Sequence, residues 1–253
     1  LIEFFQRILD FSELQYKHDG KSSFHDHIVN AMRYEDLREK EFILLLRDLG
    51  IKTCVYCNAQ STLVVNKVDH GGNEVNELKA LLQLDHFYPK SEYPFLSTSF
   101  FNLYPTCANC NHSKGTEESN FELYTYDVSS INPFKFQINQ QSFLNNWING
   151  SRNVDDLSVE LTSPDSNLLE NHNKLFHCQG IYNQHLDIVE ELILKKKLYP
   201  ESNRKALDIV LGDTVTKEEL DRLIIGNYSE EDKIHKRPLS KFTQDIARDL
   251  GLI

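Results

Sequence analysis

Two short cysteine pairs, Cys54-Val-Tyr-Cys57 and Cys107-Ala-Asn-Cys110, bracket the run LDHFYPKS at residues 84–91, where Asp85 and His86 stand side by side. Each C-x-x-C turn folds back on itself and offers two thiolates. Two such turns supply the four sulfurs that Zn2+ takes tetrahedrally at about 2.3 Å. A closed four-cysteine site has no open coordination position, so zinc at Cys54, Cys57, Cys107 and Cys110 is expected to hold structure and not to act on a substrate. The fifth cysteine, Cys178, reads as a small buried apolar side chain.

What such a staple would hold in place lies between and just after the pairs. Asp85-His86 is followed by Asn102, and Asn111 comes directly after the last cysteine. Singly, each has an ordinary explanation: a surface Asp–His hydrogen bond, a turn asparagine, a helix cap. In order, the segments DHFYPKS, NLYP and CANCNHSKG resemble the HNH endonuclease motif of the ββα-metal (His-Me finger) nucleases. The resemblance covers residues 85–115, or 54–115 with the first cysteine pair.

The chemistry fits those residue types. Phosphodiester hydrolysis needs an activated water and neutralisation of charge on the phosphoryl and leaving oxygens. His86, with an ordinary pKa of about 6.5, suits proton abstraction from water near neutral pH. Neighbours on a strand alternate faces, so Asp85 can ligate a cation while His86 faces the water, and Asn111 offers a second oxygen. The resemblance implies the same roles: His86 as general base, with Asp85 and Asn111 as ligands of a catalytic Mg2+ or Mn2+. It also implies that Asn102 braces the loop that orients the base. Lys90 and Lys114 are candidate phosphate contacts, and His112 is an alternative ligand beside Asn111.

The rest of the chain must position these groups. Helices are expected over LIEFFQRILD and over YEDLREKEFILLLRDLG, the latter capped by Gly50. STLVVNKV and the stretch around LLQLDHFY lean to strand, with HGGN (70–73) as a turn. LSVEL alternates like a strand. NQHLDIVEELILKKKLYP is a helix stopped by Pro200, Thr216 and Glu219 form a capping box, and Ser240 is placed to cap a last helix. His25 and His27 read as surface or helix residues. The expected fold class is α+β: a ββα core with a four-cysteine zinc site at 54–120, a helical segment at 1–53, and a mixed, then helical, region at 121–253.

Net charge is −11, from 27 basic against 38 acidic residues, which argues against a general polyanion binder. Any nucleic-acid contact must be local. KKK (195–197) sits where a helix C-terminus attracts cations, so KIHKRPLSK (233–241) is the better contact candidate. No apolar run is long enough for a membrane span, and a cytoplasmic protein is expected, with some N-terminus missing.

The flanks IYNQHLDIVEELI and KRPLSKFTQDIA are similar to the HNH component of Septu-type anti-phage systems, also found beside some retrons (the PtuB-like group). That resemblance implies a DNA-degrading defence nuclease working with an ABC/SMC-like ATPase. No GxxxxGK[ST] motif occurs here, so the ATPase would be another polypeptide. Two alternatives remain on the same residues: a non-catalytic zinc-stapled adaptor, and an RNA- or tRNA-cleaving nuclease.

Overall fold

The computed structural model describes residues 24–125, 132–149 and 153–253. The helix expected over LIEFFQRILD lies outside them. After α1 (Phe24–Ala31), the segment read as one helix is two, α2 (Tyr34–Glu39) and α3 (Glu41–Leu49). The break falls at Lys40, whose φ of −127° and ψ of −79° leave the helical region. In one straight helix Tyr34 would stand about 80° around the axis from Phe42. The break lets Tyr34, Phe42 and Leu46 enter one apolar cluster with Leu84 and Leu103. Gly50, at φ 67°, ends α3 in the left-handed conformation that glycine adopts without strain.

A hairpin follows, β1 (Leu63–Val68) against β2 (Glu74–Leu81). Its turn is built by Asp69, whose Oδ1 accepts from the Gly71 and Asn73 amides at 2.8 and 2.9 Å. β2 was not expected, because EVNELKAL carries good helix formers and becomes a strand only by pairing with β1.

β3 (Gln83–His86) pairs antiparallel with β4 (Leu103–Thr106), Asp85 opposite Tyr104 and His86 opposite Leu103. Helix α4 (Ala108–Lys114) follows directly, giving a strand–strand–helix unit. The expected strand at LSVEL forms as β6 (Val159–Thr162), paired with β5 (Lys135–Ile138). The remaining helices are α5 (Gln140–Asn149), α6 (Ser166–Phe176), α7 (Cys178–Tyr182), α8 (Leu186–Leu198), α9 (Glu201–Leu211), α10 (Lys217–Ile225) and α11 (Ser240–Asp249). The fold is therefore α+β, with three separate two-stranded sheets among the described residues.

The Thr216–Glu219 capping box forms, and Pro200 lies between α8 and α9. Ser240, expected to cap α11, is instead its first helical residue, and its Oγ lies 2.6 Å from Asn227 Oδ1. The cap comes from elsewhere. Asn58, just past the first cysteine pair, accepts from the Leu239 amide with its carbonyl (2.7 Å) and from the Lys241 amide with its side chain (3.0 Å).

The main core joins the four paired cysteines to Phe136, Val159, Phe176, Val189, Ile224 and Phe242. The expected border near residue 120 therefore does not divide it. Helix α11 covers the free edge of β5: Asp245 accepts from the Phe136 amide at 2.9 Å and Asp249 from the Ile138 amide at 3.0 Å. A two-residue strand repeat meets a four-residue helix repeat, and edge donors that would otherwise be unpaired are satisfied. Asp245 is buried and also holds Lys241 at 2.7 Å. No helix among the described residues is long and apolar enough to cross a membrane.

Asp245→Ala strips the partner from a buried ammonium and from a strand amide. It should lower unfolding free energy by about 3–5 kcal/mol in urea titrations, and an unchanged midpoint would show that the edge contact is idle.

Candidate functional site

The four sulfurs of Cys54, Cys57, Cys107 and Cys110 are buried and all lie within 4.8 Å of one another. A tetrahedron with arms of about 2.3 Å has edges of roughly 3.8 Å, so the cluster fits one metal ion, consistent with structural zinc. As a protonated set the thiols are unequal. Hydrogen bonding to Cys107 pushes Cys54 and Cys110 up, while bonds from Cys110, Cys54 and Cys57 hold Cys107 down. A divalent cation bound there would replace those shared protons and let all four ionise. Cys107 also opens α4, its Sγ accepting from the Cys110 amide at 3.4 Å.

The first pair is tied to the rest of the chain by its backbone. The Tyr182 hydroxyl donates to the Cys57 carbonyl at 2.6 Å, and His172 Nε2 lies 2.9 Å from the Tyr56 carbonyl. Cys178 is buried nearby, as expected, its Sγ 3.8 Å from the same carbonyl. Val55 N donates to the Pro105 carbonyl, linking the pair to β4.

Asp85 and His86 leave β3 toward different surroundings. The Asp85 carboxylate accepts from the Tyr56 hydroxyl at 2.6 Å and faces the Lys114 ammonium at 3.3–3.4 Å. Burial raises the Asp85 carboxyl above its ordinary value, opposed by Lys114 and Tyr56. Tyr56 lies between two cysteine ligands, and Lys114 ends the helix that the other two begin. Each half of the staple thus delivers one donor to Asp85.

His86 packs on Tyr34, ring centroids 4.8 Å apart, and its Nε2 lies 2.9 Å from the Ser97 carbonyl. A carbonyl only accepts, so Nε2 carries the proton and Nδ1 keeps a lone pair. Burial pushes the His86 pKa down to about 4; the Ser97 bond opposes this, and Lys90, Lys114 and Arg38 add to it. The ring is neutral at neutral pH. Asn102 accepts from the Tyr88 amide (2.7 Å) and donates to the Tyr88 and Leu96 carbonyls (both 3.1 Å), spanning the loop that carries Ser97.

Asp85, His86, Asn111, Lys90 and Arg38 line one cleft of about 460 Å3. Asn111 is half-buried and its amide donates to Gln83. Lys90 is half-exposed, with its ammonium 4.6 Å over the Tyr34 ring. Lys114 corrects the expectation of a phosphate contact: it is 1% exposed and binds Asp85 and the His86 carbonyl (2.9 Å), out of reach of a ligand. His112 is exposed and does not line the cleft. His25 is helical, bonded to the Ser91 carbonyl. The cations of the basic run 233–241 are engaged within the chain: Lys236 and Arg237 donate to the Gly50 and Gly226 carbonyls, Lys233 pairs with Glu230, and the buried Lys241 with Asp245.

Sequence reasoning passed over Tyr56, Ser97, Tyr34 and Arg38. For Tyr56 a signal existed, since its place inside a C-x-x-C turn fixes it beside the four-cysteine cluster. Nothing in the sequence marks the others.

Over 79 residues, 31% of this chain, the sequence is 32% identical to the Septu protein PtuB of Bacillus thuringiensis. The match spans 25% of that curated relative's length. No protein-family model matches the sequence, and no solved structure matches the fold.

Cys57→Ser should remove about one bound metal ion per chain and lower Tm by roughly 10 °C or more, at ~2–4 °C per kcal/mol for a chain of this size; metal analysis with calorimetry checks it. His172 offers a pH test. Burial holds its folded pKa at about 4, below the unfolded value of about 6.5. Its contribution to stability is therefore complete above pH 6.5 and is lost as pH falls toward 4. His172→Gln should shrink the stability difference between pH 7 and pH 4 by up to about 3 kcal/mol in urea titrations. Acid loss of metal acts on both proteins and cancels in the comparison.

Proposed function

We propose that this chain is a metal-dependent HNH endonuclease that hydrolyses phosphodiester bonds of DNA as the nuclease effector of an anti-phage defence complex. The observation that carries this reading is His86: a neutral imidazole whose Nε2–H is fixed by the Ser97 carbonyl, in a cleft shared with Asp85 and Asn111. A solvated surface histidine would need no such restraint. The likeness to the Septu protein PtuB supports the defence role, and with it a partner ATPase of the ABC/SMC-like class.

His86 takes the proton of a water at Nδ1, while the Ser97 bond keeps the ring from rotating away. Asp85 and Asn111 are hard oxygen donors on one cleft, which suits Mg2+ or Mn2+. Tyr56 and Lys114 occupy only part of the acceptor capacity of Asp85, so the carboxylate can hold a cation as well. Such a cation supplies charge neutralisation at the phosphoryl and leaving oxygens. Tyr56, donating from within the zinc pair, fixes where Asp85 points. Asn102 braces the loop that presents Ser97, and so positions the base without touching substrate.

His86→Ala should reduce nicking of plasmid by the purified protein with its partner, in Mg2+ or Mn2+, by about 10²–10⁴-fold, with metal content and Tm kept. Equal nicking by both proteins, or none by either, would leave the zinc-stapled adaptor. RNA cut in parallel while plasmid stays intact would move the substrate to RNA.

A further inference from the structure

The cleft has two cations at its mouth, and one carboxylate joins them. Glu35 Oε2 lies 3.6 Å from Arg38 Nη1, and Glu35 Oε1 lies 3.6 Å from Lys90 Nζ. Both distances exceed a normal hydrogen bond, and the three side chains are 63%, 45% and 41% exposed. Exposed pairs of this kind contribute little to folding, so the arrangement has no evident structural purpose.

Its position is more telling. Tyr34 and Arg38 are four residues apart on α2 and share a face. Tyr34 packs against His86, and the Lys90 ammonium lies over the same tyrosine ring. The helix therefore sets Arg38 one turn beyond the base, with Lys90 beside it, both lining the cleft that holds His86 and Asp85. Lys114 cannot serve a ligand there, being buried.

We propose that Arg38 and Lys90 form a phosphate clamp across the mouth of the His86 cleft, with the Glu35 carboxylate standing where a DNA backbone phosphate binds until that phosphate displaces it. This rests on the nuclease reading and adds its substrate grip. A phosphodiester matches the charge of Glu35, and its oxygens can also take the planar fork of Arg38. A local clamp of this kind lets a chain of net charge −11 engage a polyanion without a broad basic face.

The test is binding of a short fluorescent DNA duplex to the His86→Ala protein, followed by anisotropy over a range of salt concentrations. Adding Arg38→Ala or Lys90→Ala should weaken binding, and each should reduce the magnitude of the log-affinity against log-salt slope by about 1. Adding Glu35→Gln should tighten binding at low salt. Glu35 and Arg38 are exposed and Lys90 is half-exposed, so Tm changes by only a few degrees. Unchanged slopes for both cation variants, weaker binding by Glu35→Gln, or no duplex binding by the His86→Ala parent at any salt would overturn the clamp. Plasmid nicking by otherwise wild-type protein separates the two ideas. Nicking with unaltered slopes removes the clamp and leaves the nuclease, whereas altered slopes without nicking leave the clamp and remove the chemistry.

Discussion

Four sulfurs held within 4.8 Å of one another in the interior set the geometry of this protein. Ionised thiolates cannot sit that close in a low-dielectric core without a cation between them, and protonated thiols make only weak hydrogen bonds. A metal ion held by this cluster would bind residues 54–57 to residues 107–110 more firmly than any apolar contact between those segments could. Its consequences pass along the backbone. Tyr56 cannot move without Cys54 and Cys57, nor can Asn111 and Lys114 move far from Cys110. The hydroxyl of one and the ammonium of another meet at Asp85.

The buried Asp85–Lys114 pair is better understood as placement than as stabilisation. Removing two charges from water costs about what their attraction returns, so apolar residues of similar size would hold the fold equally well. They would not hold a carboxylate at the floor of a cleft. The same holds for Asn102, whose polar side chain is buried by bonding entirely to loop backbone. Polar groups are drawn into this interior at the points where a loop or a carboxylate has to stay still.

Some of this was legible in the chain. Local rules worked where local chemistry decides: the C-x-x-C spacing, the Gly50 cap, the HGGN turn, the Thr216–Glu219 box. They failed where a distant segment decides. β2, over a stretch rich in good helix formers that was not read as a strand, forms because β1 pairs with it. The helix expected to run from Tyr34 to Leu49 breaks at Lys40 so that both halves meet β3 and β4. Ser240 gives up its cap to Asn58, far away in sequence. The cations of 233–241 look like a binding patch when written out, and once folded Lys233, Lys236, Arg237 and Lys241 each bond to a group of this chain.

The sequence by itself determined the two cysteine pairs, the turns each pair makes, and which histidine stands beside which carboxylate, because those depend on residues close together in the chain. Only the tertiary structure decided that Lys114 faces inward while Arg38 lines the cleft. Both are cations near the end of a helix, and no local pattern separates them. Burial depends on what packs against each helix, and those neighbours, Asp85 for one and His86 against Tyr34 for the other, arrive from elsewhere in the fold.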